Sequence, residues 1–125
     1  MAGFDKETFA NSLRDNALPH FGEGKCARFV REALEAAEAN TIGHPVDAKD
    51  WGPTLLHAGF AAVTDVPYVE QLGDVVVIQP TSVNRHGHIA GFDGENWISD
   101  FVQREMWPGP TYREEQPPHI FYRFA

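Results

Sequence analysis

Gly22-Glu23-Gly24-Lys25-Cys26-Ala27-Arg28-Phe29-Val30 runs from a glycine-rich turn into an amphipathic stretch and contains the only cysteine of the chain. Pro19 to Gly24 breaks whatever precedes it. From about Lys25 to Ala39, the residues Phe29, Val30, Ala33, Leu34 and Ala37 recur at a 3.6-residue period, which predicts a helix with one buried face. Arg28, Arg31, Glu32, Glu35 and Glu38 make its wet face. Cys26 then lies in the first turn. Unpaired backbone N–H groups and the helix dipole favour an anion there, so the thiol pKa is expected to fall. Lys25 adds positive charge, and Gly24 lets a substrate backbone come close. This local setting turns a lone cysteine, ordinarily a small buried hydrophobe, into a nucleophile candidate.

Working outward, residues 5–16 read as a first helix, capped by Asp5 and striped by Phe4, Phe9 and Leu13. Asp50 is placed to cap a short helix over Trp51–Ala58, with Pro53 in its first turn. Phe60–Val66 reads as extended, and Asp74–Gln79 as a valine-rich strand. His88–Phe92 and Trp97–Phe101 form a hairpin through Asp93-Gly94-Glu95-Asn96, and His119–Phe124 is a last strand. Trp107, with Pro108 and Pro110, falls in a loop. Helices first and an antiparallel sheet second is the α+β arrangement, in one domain covering residues 1–125.

A thiol nucleophile needs a base held on a rigid element. His86-Gly87-His88-Ile89-Ala90 opens a strand, and His86 and His88 point to the same face. His88 is preferred because the apolar strand begins there, with His86 as competitor. The base needs a third group to fix its tautomer. With a loop of Asp93-Gly94-Glu95, Phe92 faces Asn96 and His88 faces Asp100, which makes Asp100 the first choice. A one-residue slip offers Ser99 or Phe101 instead; Gln103 is the weaker alternative. In that register Trp97 lies on the face opposite His88 and belongs to the core. Asp50 and Trp51 are candidates for one wall of a substrate groove, with Gly24 and Lys25 at the nucleophile.

The bulk properties narrow the classes. Of 125 residues, 42% are hydrophobic and 22% charged, as in an ordinary globular chain. A net charge of −8 argues against nucleic acid and against an anionic membrane as partner. A single cysteine excludes an internal disulfide and a multi-cysteine zinc site. Met1-Ala2-Gly3-Phe4-Asp5-Lys6-Glu7 has neither a basic start nor an apolar stretch, so no signal peptide is expected. Synthesis is expected in the cytoplasm, with any export by a route that reads no such signal.

Gly24-Lys25-Cys26-Ala27-Arg28-Phe29-Val30, Asp50-Trp51-Gly52-Pro53, Leu72-Gly73-Asp74-Val75-Val76-Val77-Ile78 and Gly87-His88-Ile89-Ala90 occur in this order. The series resembles the CHAP and NlpC-type peptidoglycan hydrolases of the papain-like clan, over about residues 20 to 105. The resemblance implies a cysteine-bearing helix packed on a histidine-bearing antiparallel sheet. It also implies hydrolysis of amide bonds in peptidoglycan stem peptides or crosslinks through a thioester. Carried over, Cys26 is nucleophile, His88 base and Asp100 the polar third member, while Gly73-Asp74 is a structural turn. No metal or other cofactor is called for. Small size and the closing Tyr122-Arg123-Phe124 are similar to the amidase effectors that type VI secretion injects into rival bacteria. That likeness implies action in the target's periplasm and a cognate immunity protein that plugs the site. Two rivals remain: a zinc hydrolase using His86, His88 and Asp100, and a non-catalytic binding or immunity-type module in which Cys26 only packs.

Overall fold

The first helix, α1 (Lys6–Asn16), starts where Asp5 caps it: Asp5 Oδ1 accepts from the Glu7 and Thr8 amides at 3.1 and 3.2 Å. The computed structural model describes residues 3–125; Met1 and Ala2, part of the stretch read for a leader, lie outside the described residues. Phe9, Ala10 and Leu13 of α1 are buried. The second helix, α2 (Cys26–Ala36), begins at the expected place but ends earlier than Ala39. Glu38 takes φ 71°, and the Ala39 amide donates back to the Leu34 carbonyl at 2.9 Å, which closes the helix. Val30, Ala33, Leu34 and Ala37 are buried as their spacing requires, and Phe29 is half-buried.

A 3₁₀ turn (Ala48–Asp50) leads into α3 (Gly52–His57). Asp50 belongs to that turn and does not cap α3, whose N-cap is Trp51 without a side-chain bond. Five antiparallel strands follow: β1 (Phe60–Ala62), β2 (Val75–Ile78), β3 (His88–Phe92), β4 (Trp97–Ile98) and β5 (His119–Phe124), in the order β1-β5-β2-β3-β4. A short helix not expected from the sequence, α4 (Pro110–Glu115), lies between β4 and β5 with Pro110 in its first turn. The α+β arrangement holds, with N-terminal helices packed on an antiparallel sheet.

Every residue of β2 and β3 is buried, because both faces of the sheet are covered. On one face Val75, Val77, Ile89 and Ile98 join Phe9, Leu13, Val30, Leu34 and Trp51. On the other, Val76, Ile78, Ala90, Phe92 and Trp97 join Tyr112 of α4, with Met106 and Trp107 against them. The Gly73-Asp74 turn into β2 is structural, as expected. Asp74 is fully buried, takes two hydrogen bonds from Arg123 of β5 at 2.8 Å, and accepts from the Tyr68 hydroxyl at 2.6 Å.

The β3–β4 hairpin corrects the expected register by one residue. Phe92 faces Trp97 and Gly91 faces Ile98. The loop has four residues, not three: the Asp93 amide donates to the Asn96 carbonyl at 3.1 Å, and Asp93 Oδ1 accepts from the Glu95 and Asn96 amides at 2.9 and 2.6 Å. Trp97 therefore shares the face of His88 instead of opposing it, and packs on Phe92 with ring centres 5.1 Å apart. The ladder stops at Ile98. The chain then turns, with the Ser99 amide donating to Phe101 and Ile98 bridging to Val102, so Asp100 is not the cross-strand partner of His88.

Candidate active site

Four elements meet at one end of the sheet: the start of α2, the start of β3, the turn after β4, and α4. They enclose a cleft of about 630 Å³ whose lining includes Gly24, Lys25, Cys26, His88, Asp100 and Tyr112. The approach to Cys26 depends on two glycines. Gly24 sits at φ +76°, a conformation that L side chains avoid. A Cβ on Gly22 would lie 2.5 Å from Asp100 Oδ1, so only glycine lets this loop close on the carboxylate.

Asp100 does its work on that loop. Its Oδ2 accepts from the Glu23 and Lys25 amides at 2.8 and 3.0 Å, and the Ser99 hydroxyl reaches Oδ1 at 3.3 Å. It thereby satisfies donors that lead into α2 and fixes where Cys26 starts. The partner of His88 is instead Gln103: His88 Nε2 and Gln103 Oε1 are 2.8 Å apart and buried. The amide is held in this sense because Gln103 Nε2 donates to the Glu105 and Met106 carbonyls at 2.9 and 3.1 Å. Oε1 is then an acceptor, the proton of a neutral imidazole sits on Nε2, and Nδ1 is left free to accept.

The electrostatics follow from burial. His88 is held below the ordinary histidine value by burial, against the opposing pull of the Gln103 bond and the Asp100 charge. The expected depression of the Cys26 thiol is reversed. Burial pushes it up, and the Asp100 carboxylate pushes the same way, outweighing the backbone groups of Ile89, Ala27 and Cys26 that pull it down. A neutral thiol therefore shares the cleft with a neutral, oriented imidazole.

The remaining expected residues separate. His86 lines the cleft rim, but its side chain is 76% exposed and its Nδ1 lies 2.9 Å from Asp47 Oδ1. His86, His88 and Asp100 do not combine into a metal site; among the described residues no group of three His, Cys, Asp or Glu side chains is placed to hold a metal ion. Trp51 is 1% exposed, a core residue covered by the stacked ring of exposed His44, while Asp50 is exposed; neither Trp51 nor Asp50 lines the cleft. Tyr112 of α4 also lines the cleft and was not among the residues expected there. Pro110 at a helix start after Gly109 was the available signal, and the surrounding prolines masked it.

Fold and site together define an α+β protein in which a helix-borne cysteine and a sheet-borne histidine face one cleft. No family model matches the sequence, and no curated protein matches it. Solved structures do. A chain of the native type VI effector–immunity complex Tae3–Tai3 from Ralstonia pickettii is 37% identical, with a TM-score of 0.86 over 98% of this chain and 100% of that one. A chain of the selenomethionine form of the same complex is 41% identical, with a TM-score of 0.81 over 92% and 98%. The chain belongs to the family of these Tae3–Tai3 type VI effector–immunity proteins. The structure of Ly7917, 18% identical with a TM-score of 0.56 over 94% of this chain and 62% of that one, shares the fold alone.

Proposed function

We propose that the chain is the effector member of such a pair, a cysteine hydrolase of the papain-like, CHAP/NlpC kind. It cleaves amide bonds in peptidoglycan stem peptides or crosslinks of rival bacteria. The observation that carries this reading is Cys26 at the start of α2 opening on the same cleft as His88, whose Nε2 is fixed by Gln103. His88 Nδ1 takes the Cys26 proton as sulfur attacks the amide carbonyl. The amides at the start of α2 hold part of the oxyanion. The C–N bond breaks as His88 returns its proton to the leaving amine, and water then hydrolyses the thioester. In this scheme Cys26 is nucleophile, His88 base, Gln103 the group that orients the imidazole, and Asp100 the residue that positions the nucleophile loop. Gly24 and Lys25 flank the substrate.

The same reading gives the chain a cognate immunity protein, export by a signal-independent route, and a site of action in the periplasm of the target. Mass spectrometry of peptides released from purified diaminopimelate-type sacculi tests it. Wild type is expected to release fragments that identify one cleaved bond, and Cys26→Ala none; retained release by Cys26→Ala would sink the thiol mechanism. The immunity-type reading has the net charge of −8 in its favour. It requires sacculi to stay intact and the Cys26 thiol to be inert toward iodoacetamide.

A further inference from the structure

Tyr112 is a cleft residue that the Cys26–His88–Gln103 arrangement does not use. It stands on α4 and is 6% exposed. Its ring packs in the second core cluster, and its centre lies 5.8 Å from that of His88, tilted by 57°. Its hydroxyl is closed off from solvent, yet meets no hydrogen-bond partner among the described residues. The side chain of Asn84, also in the cleft lining, lies beside it without making a bond of normal geometry. Among the described residues Trp51 Nε1 is the other buried side-chain atom in this state, and it lies in the core away from the cleft. A buried hydroxyl left unpaired destabilises a fold, and such groups are kept where something else supplies the partner.

We infer that the Tyr112 hydroxyl is a catalytic hydrogen-bond donor to the reacting carbonyl oxygen of the substrate, completing an oxyanion site with the backbone amides at the start of α2. The inference rests on the amide-hydrolase reading above. As the S–C bond forms, the carbonyl π pair moves onto oxygen and the thiol proton moves to His88. Tyr112 donates a hydrogen bond to that oxygen and keeps its own proton. Burial, with the nearby Cys26 sulfur acting in the same direction, pushes the phenol up to about 12, so it remains a donor across the neutral range. The oxygen loses its charge when the C–N bond breaks, and the same donor serves again when water attacks the thioester.

Tyr112→Phe removes the O–H and leaves the packed ring in place. On purified muropeptides kcat is expected to fall about 10²-fold, the usual scale for one oxyanion donor. KM should stay near wild type, and the melting temperature should rise, because the variant removes a buried unpaired hydroxyl. Alkylation of Cys26 by iodoacetamide passes through no oxyanion, so its rate should be unchanged in the variant. Full kcat in Tyr112→Phe beside an active wild type would overturn the inference alone. An alkylation rate that falls in step with kcat would also overturn it, because Tyr112 would then act on the thiol. A wild-type chain without turnover would overturn the hydrolase reading and the inference together.

Discussion

His88 draws its properties from its surroundings. Burial favours the neutral ring, and Gln103 offers an acceptor without a charge. Replacing that acceptor by a carboxylate, Gln103→Glu, stabilises the imidazolium and raises its pKa. The acid limb of kcat/KM should then move to higher pH, read from a pH–rate profile against wild type. Stability carries the same signature with its own sign. The denatured chain protonates its histidine near about 6.5, whereas native His88 takes up a proton only at lower pH. Between the two values the denatured state holds more protons, so stability falls as pH drops below about 6.5 and levels off once native His88 is charged. Urea midpoints at a series of pH values should show this component in wild type and lose it in His88→Gln. Cys26 and His88 were legible in the sequence because each stands at the start of an element with a clear apolar period. Their protonation was not, because the helix start argues for a thiolate while burial argues against one.

At the scale of elements, the glycine-rich loop, α2 and the turn after β4 form one unit tied by Asp100. Gly22→Ala would place a methyl 2.5 Å from Asp100 Oδ1 and displace the carboxylate from the Glu23 and Lys25 amides. Turnover should fall at least tenfold, because a nucleophile shifted by about 1 Å loses on the order of 10²-fold in rate. The melting temperature should move only a few degrees, measured side by side by calorimetry. The helices and strands expected from periodicity are present, which is what hydrophobic spacing specifies directly. The partner of His88 was out of reach of the register: corrected by one residue, it would put Phe101, not Gln103, opposite His88. Counting the Asp93-Gly94-Glu95-Asn96 loop as three residues puts Asp100 opposite His88; the Asp93 side chain makes it four. Beyond Ile98 no ladder exists, so no pairing rule could have led from His88 to Gln103. Gln103 arrives through a turn held by the local Ser99–Phe101 and Gln103–Trp97 backbone bonds and anchored at Asp100 by the distant Leu18, Glu23 and Lys25 amides.

For the whole molecule, the last strand is pinned where Arg123 meets buried Asp74. Arg123→Ala would leave that carboxylate buried with only Tyr68 and the Gln71 amide. About 3 kcal/mol of stability should be lost, the scale for breaking a buried pair, seen as a lower urea midpoint; an unchanged midpoint would show that the pair holds nothing. The family likeness spans nearly the full length of both chains, so the fold is shared as one unit. Among the described residues no helix is long and apolar enough to cross a membrane. The central claim is covalent catalysis by Cys26, and acid-quenched mass spectrometry of the chain mixed with purified muropeptides tests it most directly. The account predicts a transient adduct, equal in mass to the acyl fragment and mapped to Cys26, that decays as product forms and is absent in Cys26→Ala. Turnover at the wild-type rate in Cys26→Ala, with no adduct on the wild-type thiol, would contradict it.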